Sequence, residues 1–71
     1  MPLTHANKFS TYRIKKLPDS HLLKVLGLRR GIEFKVQTKQ PLSGPIVVKI
    51  GSRSIAIDYD IAKDILVKEV Q

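Results

Sequence analysis

The chain has no cysteine and no tryptophan. Without cysteine, neither a disulfide nor a thiolate zinc site can brace the fold, so packing must hold it alone. Aromatic residues are few, two Tyr and two Phe. That scarcity argues against an aromatic-lined groove for proline-rich peptides. Acidic residues are also scarce, six against 13 Lys and Arg, for a formal net charge of +7. An excess of this sign favours acidic partners: a nucleic acid, an anionic membrane surface or an acidic protein face. No apolar run approaches the roughly 18 residues of a membrane span. The N-terminus lacks the basic-then-apolar layout of a secretory signal, no membrane insertion is expected, and the absence of disulfides fits a reducing cytosol. Catalytic motifs are missing too. There is no Gly-x-Ser-x-Gly and no glycine-rich loop before a lysine. Asp58 and Asp60 read as a helix cap and a first-turn acid, so no enzymatic activity and no cofactor are expected.

What is present is organised in short pieces. The 71 residues read as one domain, 1–71, with 1–8 an irregular lead-in containing a helical turn near Leu3–Asn7. A domain this small buries only roughly 60% of its unfolded surface, so each inward apolar residue matters. Phe9–Leu17 predicts a strand with Tyr12 and Ile14 on one side and Arg13 and Lys15 on the other. Pro18 stops it, and Asp19 or Ser20 caps a two-turn helix with apolar positions at Leu22, Leu23, Val25 and Leu26. Gly27 is expected to end that helix at positive φ, with Leu28 folding back. Arg29, Arg30 and Gly31 then form a tight turn whose arginines point outward. Ile32, Phe34 and Val36 alternate with polar residues as a half-buried strand, broken by the turn-forming Gln40–Pro45, which includes Gly44.

The stretch Ile46–Ile57 predicts a hairpin turning at Gly51-Ser52, with Gly51 first in a type II′ turn. Ile50 then faces Arg53, Val48 faces Ile55, Ile46 faces Ile57 and Val47 faces Ala56. Asp58 caps one helical turn from Tyr59 to about Asp64, with Ile61 and Ile65 inward, and Ile65–Val70 closes as a strand. The sum is mainly β: a small, bent barrel of about five strands with one short helix and one helical turn, in which closure removes most edges.

Three segments carry a resemblance to a known family. They are Leu22-Leu23-x-x-Leu26-Gly27-Leu28-x-x-Gly31-x-x-Phe34-x-Val36; Pro41-Leu42-x-Gly44-Pro45-Ile46; and Ile55-Ala56-Ile57 followed by Ala62-x-x-Ile65-x-Val67. Over residues 9–70 the chain resembles the ferrous iron transport protein A (FeoA) family. Two local departures are Asn7-Lys8 where a Pro-Gly turn is common, and the hairpin glycine at the first turn position. A similar domain is fused to some metal-dependent repressors; this chain has no DNA-binding helix pair. The resemblance implies an SH3-like β-barrel and an accessory, cytoplasmic role in bacterial ferrous iron uptake. The partner it implies is the FeoB membrane transporter, engaged through its cytosolic GTP-binding region.

Read from the residues, the candidate contacts are Leu42, held between stiff prolines, and the basic Arg29, Arg30 and Lys24. The alternative for Leu42 is a plug under one end of the barrel. The rival function is a basic small barrel that binds nucleic acid; Phe9, Tyr12 and Tyr59 are the aromatics left for base stacking once Phe34 is core. No metal site is expected. His5 and His21 are isolated in sequence, and nothing in the spacing requires them to meet Asp19. The strands Phe9–Leu17 and Ile65–Val70 are candidate sheet edges, through which weak self-association is open.

Overall fold

In the computed structural model, which describes residues 1–70, alternation and turn chemistry build five strands and two short helices. A 3₁₀ turn, Leu3–His5, precedes β1 (Thr11–Lys16), α1 (His21–Val25), β2 (Glu33–Lys39), β3 (Ile46–Ile50), β4 (Arg53–Ile57), α2 (Tyr59–Ala62) and β5 (Leu66–Glu69). The strands form one antiparallel sheet in the order β4-β3-β2-β1-β5. Register shifts between Ile14 and Lys16 and between Val36 and Thr38 interrupt two of the ladders. Bulges of this kind bend a strand and increase its twist, which curls the sheet around its own inner face.

The curled sheet does not close. Among the described residues β4 and β5 are not paired, so the expected barrel is barrel-like with an open seam. The expected edges also change. β1 lies between β2 and β5, and the edge strands are β4 and β5. The outer side of β5 is covered by the start of the chain: the Leu3 N–H donates to the Ile65 carbonyl at 2.8 Å, and the Val67 N–H to the Met1 carbonyl at 2.7 Å. The segment read as an irregular lead-in is therefore structural, with Leu3 and Ala6 fully buried. The Lys39 ammonium fastens it further, donating to the Thr4 and Ala6 carbonyls at 3.0 and 2.9 Å.

The core gathers inward residues from every strand, including Tyr12, Ile14, Phe34, Val36, Val48, Ile57 and Val67. Tyr12 and Phe34 are direct cross-strand partners, with ring centroids 6.1 Å apart. The Tyr12 hydroxyl accepts the Asn7 N–H at 2.7 Å, so the polar tip of a buried ring is satisfied. The β3–β4 hairpin has the register that alternation predicts, Ile46↔Ile57 through Ile50↔Arg53. Gly51 is at φ +60 while Ser52 is not at positive φ, the signs of a type II′ turn.

α1 ends by a Schellman motif. The Leu28 N–H bonds the Leu23 carbonyl at 2.9 Å and the Gly27 N–H bonds the Lys24 carbonyl at 3.0 Å, with Gly27 at φ +83. Leu23 and Leu28 are both buried beneath it. Other local expectations need correction. Ser20 and Asp58 occupy the N-cap positions, but neither side chain makes the capping bond. α1 has five residues, and a helix so short turns few side chains inward: Leu23 is buried, Leu26 is half-buried, and Leu22 and Val25 are exposed. Phe9 lies outside β1, at φ +69 with an exposed ring.

Candidate interaction surfaces

The four predicted contact residues fall in three places. Leu42 is in the β2–β3 loop, 99% exposed, at φ +58, with Ser43 beside it at φ +61. It does not plug the barrel. Two consecutive non-glycine residues in the left-handed region are uncommon, because Cβ crowds the backbone there. Gly44, by contrast, is not at positive φ. Its need for glycine is steric: a Cβ there would lie 2.5 Å from Gln40 Cβ. The loop doubles back so tightly that the leucine is pushed out at its tip.

Lys24 and Arg29 line a groove of about 570 Å³ between the end of β1 and α1, floored by Leu17, Pro18, Leu23 and Leu28. Exposed Leu22 and Val25 lie on the same helix. Lys24 is 3.8 Å from Asp19, a loose pair in full solvent that contributes little. The groove is at the other end of β3 from Leu42. A Cβ on Gly27, just after α1, would meet the Arg53 guanidinium, and Arg53 follows the β3–β4 turn. Leu42 precedes β3, so it and the Lys24–Arg29 pair cannot form one compact site.

Arg30, next to Arg29 in the same turn, lines a different, shallow hollow of about 390 Å³ with Arg13, Lys15 and Gly31. The turn that places it runs from Arg29 to Ile32, whose N–H bonds the Arg29 carbonyl at 3.3 Å, with Gly31 third at φ +92. The Gly31 N–H then donates to the Ile14 carbonyl of β1 at 2.8 Å, and the Ile14 N–H to the Ile32 carbonyl at 2.9 Å, so the turn continues the β1–β2 ladder. The company of Arg13 and Lys15 was missed because it depends on strand register, not on local spacing.

His5 and His21 are exposed. Among the described residues no three His, Cys, Asp or Glu side chains converge into a set able to hold a metal ion. Of the aromatics considered for base stacking, Tyr12 is fully buried, which removes it from any surface platform. Phe9 is 67% exposed beneath the Lys8 ammonium, 5.2 Å from the ring centroid, and Tyr59 is near the Leu42 loop beside a hollow lined by Ser43 and Pro45. No helix of the described residues is long and apolar enough to cross a membrane.

A curled five-stranded antiparallel sheet, plugged by two short helices and presenting its side chains on loops, defines a small SH3-like domain. Comparison with known proteins narrows that class. The FeoA domain model matches residues 1–69, and the chain belongs to the FeoA domain family. Iron(II) transport protein A from Clostridium thermocellum is similar in structure, with TM-score 0.88 and 34% identity over 99% of this chain. This chain spans 46% of that one. The FeoA-like protein from Clostridium acetobutylicum has TM-score 0.86 and 25% identity, covering 100% of this chain and 87% of its own. A manganese-dependent transcriptional repressor shares the fold at TM-score 0.88 and 17% identity, over 99% of this chain and 41% of that one. No curated protein sequence matches.

Proposed function

We propose that this chain is an accessory protein of bacterial ferrous iron uptake. It acts in the cytoplasm by binding the cytosolic GTP-binding region of a FeoB-type transporter, and it catalyses nothing itself. Membership of the FeoA family and a similar structure that is an iron(II) transport protein support the pathway. The observation that carries the binding role is Leu42. A large apolar side chain held wholly in solvent on strained backbone does nothing for this fold, and such strain persists where a partner uses it. The prolines on either side limit the entropy lost when the loop docks.

The test is binding of the purified chain to the transporter's cytosolic domain, with and without GTP. Leu42→Ala is expected to weaken binding by about tenfold or more, as for a central apolar anchor. The melting temperature should be unchanged, because the side chain buries nothing. Equal affinity of variant and parent, or no complex at all, would remove Leu42 from the interface.

The arginine turn should act differently. Arg29→Glu with Arg30→Glu is expected to slow association at low salt and to matter less as salt screens the charges. Stopped-flow association rates at two ionic strengths measure this. A changed dissociation rate with an unchanged association rate would contradict a steering role.

A further inference from the structure

The outer face of the sheet carries a charge pattern that the fold does not need. Alternation directs Arg13 and Lys15 of β1, Lys35 of β2, Lys49 of β3 and Lys68 of β5 away from the core, and all are exposed. Arg30 joins them at the hollow beside Arg13 and Lys15. The strand register then sets like charges directly opposite one another: Lys35 faces Lys49, and Arg13 faces Lys68. Opposed side chains of this kind have Cβ atoms about 5 Å apart, and like charges there destabilise a sheet. Solvent faces of stable sheets commonly pair opposite signs. Here one acid, Glu33, answers the row, and it is bonded to Arg13 at 2.6 Å. Lys15, Lys35, Lys49 and Lys68 have no ion-pair partner among the described residues.

An external polyanion would remove this repulsion. We propose that the outer sheet face is a docking surface for an anionic lipid bilayer. The chemistry of the face selects that polyanion. Four of the six cations are lysines, compact point charges on flexible stems, which suit a headgroup plane with no fixed geometry. Arginine forks would dominate a face built for bidentate phosphate recognition. The face is the convex side of a curled sheet, with no helix or ribbon to enter a duplex groove. No strand of the sheet carries an exposed aromatic: Tyr12 and Phe34 are buried, and the exposed Phe9 and Tyr59 lie outside the strands, before β1 and in α2, so they give no row on which successive bases could stack. Between the cations the outward positions are uncharged: polar Thr11, Gln37 and Ser54, and apolar Val47, Ala56 and Leu66, none of which opposes a headgroup plane. The inference rests on charge and register, not on the transporter reading, and holds or fails without it.

The test is co-sedimentation of the full chain with vesicles of phosphatidylcholine alone and of phosphatidylcholine mixed with phosphatidylglycerol. Binding is expected only with the anionic vesicles, and it should be lost as salt is raised. Lys35→Gln with Lys49→Gln should lower the partition coefficient by roughly 25-fold, about fivefold for each cation near the surface. That variant should melt at the same temperature or higher, because it relieves an opposed pair; Lys15→Gln with Lys68→Gln gives a second reading should the first fail to fold. Lys8→Gln with Lys63→Gln removes the same charge away from the sheet and should change the partition by less than half as much on a logarithmic scale. No binding to anionic vesicles would overturn the proposal. So would an equal loss in the off-sheet control, which would reduce the effect to net charge. Displacement of the vesicles by an RNA or duplex DNA oligonucleotide at physiological salt would reassign the face to nucleic acid and overturn it too.

Discussion

Replacing Phe34 by alanine should remove about half of the protein's stability. The ring is 3% exposed and stacks on Tyr12 at an interplanar angle of 28°. Truncating a buried phenylalanine costs roughly 3–5 kcal/mol, transfer and cavity terms together. A chain of this length has only about 4–10 kcal/mol of total stability. The melting temperature, followed by far-ultraviolet circular dichroism, should fall by roughly 15 °C or more. The same variant decides between two readings of the aromatic residues. Were Phe34 a stacking platform for bases, the fold would survive and RNA affinity would drop; a fall of only a few degrees would show that the ring is not core.

Gly27→Val should be nearly as damaging, by a different route. A β-branched residue at φ +83 meets its own carbonyl, a strain of roughly 2–3 kcal/mol. Its Cβ would also lie 3.0 Å from Arg53 Nη2, so the guanidinium must swing away. The Schellman bonds from Gly27 and Leu28 would loosen, and α1 has too few residues to stay helical without them. Gly31 offers the control. It also has positive φ, but a Cβ there meets nothing within 4 Å. Gly31→Val should therefore cost measurably less in chemical denaturation. If the two variants have the same midpoint, the Arg53 contact and the helix end contribute nothing.

These effects were legible because the signals are local. The hairpin register follows from alternation on either side of Gly51-Ser52, and the Gly27-Leu28 pair fixes how α1 ends. The missed features depend on partners distant in sequence. Leu3 and Ala6 have no periodic neighbours; they are buried because β5, from the far end of the chain, bonds to the segment that holds them. The bulges at Ile14–Lys16 and Val36–Thr38 leave no residue signature, yet they bend the sheet. The apolar spacing of Leu22, Leu23, Val25 and Leu26 offers α1 more inward positions than its five residues can turn to the core. Among the candidate contacts, the flanking prolines and glycine leave Leu42 open between an exposed tip and a plug, and only the folded loop decides for the tip. The separation of Leu42, Lys24 with Arg29, and Arg30 into different places required the strand order.

That strand order has a bearing on how the molecule is born. β1 is made well before β5 but sits between β2 and β5, so one of its two ladders waits for β5. Until Leu66–Glu69 leaves the ribosome, the backbone groups of Thr11–Lys16 on that side remain open and the seats of Leu3 and Ala6 unfinished. Non-local closure of this kind is slow relative to local turns. The domain can complete itself only once β5 has emerged, and the nascent chain carries a sticky edge until then.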